Sequence, residues 1–476
     1  MRSVRKEEAI RMQRIKALFA PRDMTQGAPW KSILMFAVPM LIGNFAQQLY
    51  NTVDSAVVGK YVGDNALAAV SSTMPILNLL LALFVGIATG AGIRVSQYFG
   101  AKDRENLSKV IGNCLTLTII TSFIIMAIGI PLADPLLRLL GTPPEIFGWT
   151  GDYLRIFFWG ISGFLFYNVL SGILRGLGDS FSALLFLLFS AALNVVLDLW
   201  FVISFGMGVA GVALATIIAQ SVSAVLCFLK LRAMKDVFDI SPATMKLDKE
   251  TAMDIIKLGL PSGLTQASFS TAMLLVLRLE FGFGAMFVAT TGIVKRVDGF
   301  AMLPNFSFGQ AMTTFIGQNV GARRYDRLKQ GAKEGTALAL ATVILLTGAI
   351  LLFGRGIMHI FTDTQEVVDL GMRIMKILAL GYIAMAVTQT MSGVMRGAGD
   401  TVTPMAISMF VSVFIRVALA YALVELSKTP EKPMGEPIMV YISLLATWVV
   451  GALINTYYYR RGNWRSKLPP RDKGNE

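Results

Sequence analysis

Apolar residues run along this chain in stretches of 20 or more, separated by short polar breaks, with neither the alternation of a half-buried strand nor the narrow stripe of a surface helix. A helix needs on the order of 20 residues to cross about 30 Å of hydrocarbon. By that measure roughly twelve segments qualify, near residues 33–56, 67–91, 107–130, 150–172, 181–205, 209–229, 256–280, 285–312, 335–354, 368–393, 402–425 and 437–459. The pattern predicts an all-α membrane protein.

The pattern also repeats. Ser171-Gly172-Ile173-Leu174-Arg175-Gly176-Leu177-Gly178-Asp179 returns in the second half as Ser392-Gly393-Val394-Met395-Arg396-Gly397-Ala398-Gly399-Asp400, with six of nine positions identical. Gln97 and Gly100 align with Gln318 and Gly321 at the same offset, and Pro39 aligns with Pro261 at an offset one position longer. Six spans per copy is an even number, so the second copy enters the membrane from the side where the first began. The expected fold is therefore twelve transmembrane helices in two six-helix lobes related by a parallel internal repeat, a build that places a substrate path between halves that rock. The expected organisation is a cytoplasmic segment 1–30, a lobe 31–230, a cytoplasmic linker 231–253, a lobe 254–460 and a cytoplasmic tail 461–476.

Composition agrees: 54% of the 476 residues are hydrophobic and 15% charged, too apolar for a soluble core. The net charge of +13 raises the question of nucleic acid. Its distribution answers no. Basic residues gather in the N-terminal segment, in the loops after spans two, six and eight, and in the tail from Arg460 to Lys473, which by the positive-inside rule puts both termini of a multi-pass cell-membrane protein in the cytoplasm. These charges read as topology signals and contacts with anionic lipid of the bilayer. Cys114 and Cys227 fall inside apolar spans, giving neither a disulfide framework nor a metal-ligand spacing. No nucleophile–base constellation, nucleotide loop or cofactor site is visible, so an enzyme is not expected.

The repeated motif reads as a helix end: its glycines suit a C-cap, and Asp179 and Asp400 can cap the helices that follow. Pro39 and Pro261 sit a few residues into their spans, where each permits a bend.

Acidic residues inside spans carry the functional reading. A carboxylate in hydrocarbon costs roughly 2.5–3.5 kcal/mol on insertion scales, so Asp54 and Asp198 need a reason to be there. Gln47, Tyr50, Asn51 and Asp54 share one helical face, as do Asn194 and Asp198, and Thr216 and Gln220. Three such stripes imply a common buried cluster. The positions matching Asp54 and Asp198 in the second half are Val276 and Leu419. A purely structural role would predict acids in both halves, so the first half is the expected seat of an ion-coupling site. Two carboxylates in low dielectric cannot both ionise cheaply and can hold an exchangeable proton between them. In the second half, Lys295 and Asp298 are three residues apart and are expected to neutralise each other on one helix, lining a substrate cavity.

Together Gln48-Leu49-Tyr50-Asn51-Thr52-Val53-Asp54, Val58-Gly59, the Ser-Gly-x-x-Arg-Gly-x-Gly-Asp pair and Asn194-x-x-x-Asp198 resemble the multidrug and toxic compound extrusion (MATE) transporters, over residues 30–460. The resemblance implies two six-helix lobes in a V and an antiporter, working as a monomer, that exports small-molecule drugs, often bulky organic cations, in exchange for H+ or Na+. It further implies the branch with an N-terminal-lobe coupling site (DinF-like or MepA-like), with Asp54, Asp198, Asn194, Tyr50, Thr216 and Tyr153 as its residues, Na+ being possible at Asp54 and Asp198. Gln47, Asn51, Gln220, Lys295 and Asp298 are the remaining candidates for a substrate cavity. The acids that the NorM-like branch carries in spans seven and ten are missing: Thr271 stands at the first place and residues 370–393 hold no Asp or Glu. The alternative is a lipid-linked saccharide flippase of the same superfamily, which commonly needs a cationic cavity; no Lys or Arg lies mid-span in the first two spans.

Overall fold

A computed structural model describes residues 20–139 and 141–468 of the chain. Most of the basic N-terminal segment and the end of the tail lie outside them. The described residues hold no named strand, only an isolated bridge between Thr429 and Lys432.

Seven elements build the first half: α1 (Pro29–Tyr61), α2 (Asp64–Ala101), α3 (Arg104–Leu139), α4 (Pro144–Trp159), α5 (Ile161–Gly176), α6 (Ser180–Leu199) and α7 (Gly208–Arg232). The second half follows with α8 (Lys249–Gly282), α9 (Ala285–Ala301), α10 (Leu303–Gly321), α11 (Tyr325–His359), α12 (Gln365–Gly397), α13 (Val402–Met409), α14 (Arg416–Leu426) and α15 (Met439–Arg461). Among the described residues, nine helices, or ten with the bent pair α4–α5 taken as one, are long and apolar enough to cross a membrane. With α2 and the α9–α10 pair, twelve segments form two sets of six. Their outer surfaces carry large apolar side chains such as Leu345, Leu352 and Phe123 at 76%, 82% and 67% exposure, which lipid rather than water must cover.

Two segments expected to be continuous are broken. The fourth bends by 54° between α4 and α5 at Gly160, where a Cβ would lie 2.0 Å from Ile217 of α7, so the bend lets the two elements touch. The eighth breaks at Met302, because Pro304 in the first turn of α10 brings no N–H to the helical ladder. The fifth segment of each half contains a π-helical stretch, Trp200–Ser204 after α6 and Phe410–Ile415 between α13 and α14.

The repeated motif does what its composition suggests. Gly178 and Gly399 adopt φ of 82° and 95° after α5 and α12. Asp179 Oδ1 then accepts from the Ser182 N–H at 2.9 Å, and Asp400 Oδ1 from the Thr403 N–H at 3.1 Å. The earlier glycines serve packing: a Cβ on Gly172 would sit 2.9 Å from the Ala88 carbonyl oxygen, and one on Gly393 would sit 2.5 Å from that of Gly309. Ala88 and Gly309 are themselves equivalent positions of the repeat, so one helix contact is made in both halves.

The chain divides into two compact units; besides a division between Met24 and Thr25, their boundaries fall inside α1, between Ala37 and Val38, and inside α8, between Lys257 and Leu258. Pro39 and Pro261 lie a few residues beyond the two boundaries inside helices. The first turns of α1 cluster with the C-terminal unit, where the Trp30 N–H donates to Glu334 Oε2 at 2.8 Å. The first turns of α8 cluster with the N-terminal unit. The stretch between α7 and α8 is stitched onto α3: Thr116 Oγ1 donates to the Met245 carbonyl at 2.6 Å, Asn113 Oδ1 accepts from the Asp248 N–H at 2.8 Å, and Ser108 Oγ accepts from the Asp239 N–H at 2.9 Å. Gly112 gives it room, since a Cβ there would meet the Thr244 carbonyl oxygen at 2.1 Å. Asp248 also accepts from both the N–H and the hydroxyl of Thr251 at the start of α8, and these bonds hold its carboxyl below the usual carboxylate range.

Candidate functional site: a carboxyl pair in the N-terminal unit

Four helices of the N-terminal unit converge on one polar cluster. α1 contributes Tyr50 and Asp54, α4 contributes Tyr153, α6 contributes Asn194 and Asp198, and α7 contributes Thr216. Helical periodicity aligns Tyr50 with Asp54 and Asn194 with Asp198. Burial is deep: Asp54 is 7% exposed, Asp198 0%, Asn194 1% and Tyr153 2%.

The two carboxyls are close neighbours. Tyr50 lies beside the Thr216 hydroxyl, and Asn194 Nδ2 donates to Thr216 Oγ1 at 3.3 Å. Tyr153 lies among Asp54, Tyr50 and Asp198. An ionised carboxylate only accepts, so two of them facing each other make a bond only when one carries a proton. Among the described residues no side chain donates to Asp54 Oδ1 or to either oxygen of Asp198. One proton shared by the pair would supply a donor between them. Its loss would leave like charges side by side in low dielectric, a state that demands a replacement cation or a rearrangement. The cluster is thus suited to exchange a small positive charge, and α6 passes into its π-helical turn two residues beyond Asp198, a departure often found at functional positions.

The other candidates lie elsewhere. Gln47 and Gln220 line a separate cavity of the same unit with Arg175. Asn51 is exposed. In the C-terminal unit, the ion pair expected between Lys295 and Asp298 does not form: Lys295 Nζ reaches Glu280 Oε2 of α8 at 2.5 Å instead. Asp298 has Tyr382 of α12 and Arg416 of α14 as neighbours, and Tyr441 of α15 lies close to Glu280, Asp298 and Arg416. Tyr382 and Tyr441 were not singled out in the sequence, because a tyrosine in an apolar span gives no signal apart from the charge it faces. Val276 and Leu419, the counterparts of Asp54 and Asp198, bring no charge to this unit.

An all-helical membrane protein built as a duplicated six-helix unit, with a buried carboxyl pair in one unit, has the build of a secondary transporter. Residues 39–200 and 261–422 match MatE, and the chain belongs to this family. The second matched stretch begins and ends at one constant offset from the first, the same offset that carries Pro39 onto Pro261. The chain is 29% identical over 445 residues to the probable multidrug resistance protein YoeA of Bacillus subtilis (strain 168), covering 92% of this chain and 95% of that protein. It is 24% identical over 371 residues to the multidrug export protein MepA of Staphylococcus aureus (strain NCTC 8325 / PS 47), covering 78% and 82%. Among solved structures, an outward-facing multidrug resistance MATE family transporter of the MOP superfamily superposes with a TM-score of 0.86 at 26% identity, over 94% of this chain and 98% of that one.

Proposed function

We propose that this chain is a multidrug efflux transporter that exports bulky, often cationic compounds by alternating access, with the Asp54–Asp198 pair exchanging a proton for each transport cycle. The observation that carries the reading is the pairing of two buried carboxyls, three of whose oxygens lack a donor, in one unit of a duplicated chain whose other unit has Val276 and Leu419 there. Multidrug resistance and multidrug export appear in the names of the relatives, which supports the substrate class.

Protons are favoured over sodium because the pair itself requires one proton to be satisfied, while its remaining neighbours are the neutral oxygens of Tyr50, Asn194 and Thr216. Protonation and substrate binding then oppose one another through two conformations of one protein, each stabilising a different one. Both termini face the cytoplasm in this reading, and the protein works as a monomer in the cell membrane. Reconstitution into liposomes with proton and sodium gradients imposed separately tests it: coupled drug export driven by the proton gradient supports it, and drug movement indifferent to both gradients refutes it.

A further inference from the structure

The repeated motif has an arginine whose side chain neither the capping nor the packing of that motif uses. Arg175 and Arg396, equivalent positions of the repeat, each project into a cavity of their own unit, of 100 Å³ and 40 Å³ respectively. The two cavities are the same place in the repeat: Asn168, Ser171 and Arg175 line the first where Gln389, Ser392 and Arg396 line the second. Each therefore recurs in a unit whose other residues have diverged. That recurrence separates these sites from the carboxyl pair, which only one unit has.

The chemistry of both linings is one-sided. A guanidinium stays charged in proteins and presents five donors and no acceptor. Among the described residues no Asp or Glu lines either cavity. Arg175 Nη1 donates to Ser171 Oγ at 3.1 Å, whereas the Arg396 side chain makes no hydrogen bond to a described residue, and Nε is unpaired in both. The Ser408 hydroxyl in the second cavity is unpaired as well. A half-buried cation in the last turn of a membrane helix, faced by neutral groups and with donors unused, is a charge that an anion would complete. Both cavities are far smaller than the roughly 300–1,000 Å³ that drug-sized ligands occupy.

We propose that Arg175 and Arg396 form a duplicated pair of oxyanion sites, one in each unit, and that each takes a single phosphate-type group, from a lipid phosphodiester or from free phosphate. The planar guanidinium matches such a group with two parallel N–H bonds, which a lysine cannot reproduce. Apolar side chains complete each lining, Leu184 and Leu187 in the first and Val411 and Trp448 in the second, as a phosphodiester carrying a glycerol backbone would require. Each cavity also touches the first helix of its repeat close to the proline, at Pro39 and Gly43 in α1 and at Thr265 in α8, whose hydroxyl donates to the Pro261 carbonyl at 2.9 Å. A group filling the site would therefore touch that helix beside its proline.

The test uses the full-length protein, purified in detergent and stripped of lipid, with unfolding followed by a thiol-reactive dye at the two buried cysteines, Cys114 and Cys227. Inorganic phosphate is titrated against gluconate at constant ionic strength, and short-chain phosphatidylglycerol is titrated in a parallel arm. The wild type should show a saturable rise in melting temperature. A rise with both ligands identifies a site open to free phosphate, and a rise with the lipid alone identifies a headgroup site. The response should shrink in Arg175→Gln and in Arg396→Gln and vanish in the double variant. Should the Gln variants not fold, Arg175→Lys and Arg396→Lys should move the midpoint to roughly tenfold higher ligand, the worth of one charged hydrogen bond. No saturable rise in the wild type, a wild-type response in the double Gln variant, or an unchanged midpoint in the Lys variants would overturn the proposal. None of these readouts depends on drug export, so they stand apart from the efflux reading.

Discussion

Lys295 Nζ lies 2.5 Å from Glu280 Oε2, an ion pair that ties α9 to α8 and leaves Asp298 to Tyr382 and Arg416. The Glu280 side chain is 6% exposed and that of Lys295 31%. Removing the cation strands a buried carboxylate, whereas removing both charges does not. Lys295→Met should therefore lower stability by about 2 kcal/mol, less than for a fully buried pair because the ammonium is partly solvated. The double variant Lys295→Met/Glu280→Gln should recover most of it. Thermal unfolding of the wild type and the two variants in one detergent checks this, and a double variant as unstable as the single one would mean that the pair acts through packing alone.

The carboxyl pair makes a sharper demand. Asp198→Asn and Asp54→Asn keep volume and hydrogen-bonding capacity but remove a titratable group, so each should cut drug export to about a tenth or less with protein level unchanged, the loss expected when a proton carrier is removed outright. Asn194→Ala should be milder. It deletes the donor to Thr216 Oγ1 and should displace the pH dependence of export before abolishing it. Drug accumulation in cells expressing each variant measures all three.

Paired glycines offer a graded test of the repeated helix contact. A methyl on Gly393 would approach the Gly309 carbonyl oxygen to 2.5 Å, and one on Gly172 the Ala88 carbonyl oxygen to 2.9 Å. Both oxygens are backbone and cannot swing aside. Gly393→Ala should destabilise by about 1–3 kcal/mol, the usual cost of overpacking, and Gly172→Ala by less. The same unfolding assay ranks them.

Membrane orientation follows from the basic loops. In a variant without Cys114 and Cys227, a cysteine at Asp236 should be protected from impermeant thiol reagents in intact cells, and one at Glu431 should be labelled. Both positions are exposed, so access to the reagent decides the outcome. Labelling at Asp236 would invert the topology.

Much of this architecture was legible in the chain because a bilayer imposes length and hydrophobicity on every span. The breaks at Gly160 and Met302 were not, since apolar residues run straight through both and only packing against Ile217, or the position of Pro304, reveals the bend. Helical spacing grouped Tyr50 with Asp54 and Asn194 with Asp198 correctly, and it also set Gln47 on the face of Asp54. Face is not depth. Gln47 lies two helical turns before Asp54, about 10 Å along the axis, enough to put the glutamine in the Arg175 cavity. Lys295 and Asp298 failed for a related reason: spacing on one helix says which groups can meet, but the carboxylate of Glu280 arrives from another helix and takes the ammonium first.

In the proposed mechanism a proton held between Asp54 and Asp198 drives export. Proteoliposomes loaded with drug, free of sodium and exposed to an acidic exterior test it most directly. The account predicts drug efflux that follows the inward proton gradient, weakens as the external pH is raised, and disappears in Asp198→Asn. Efflux that requires sodium and ignores the pH step would contradict it.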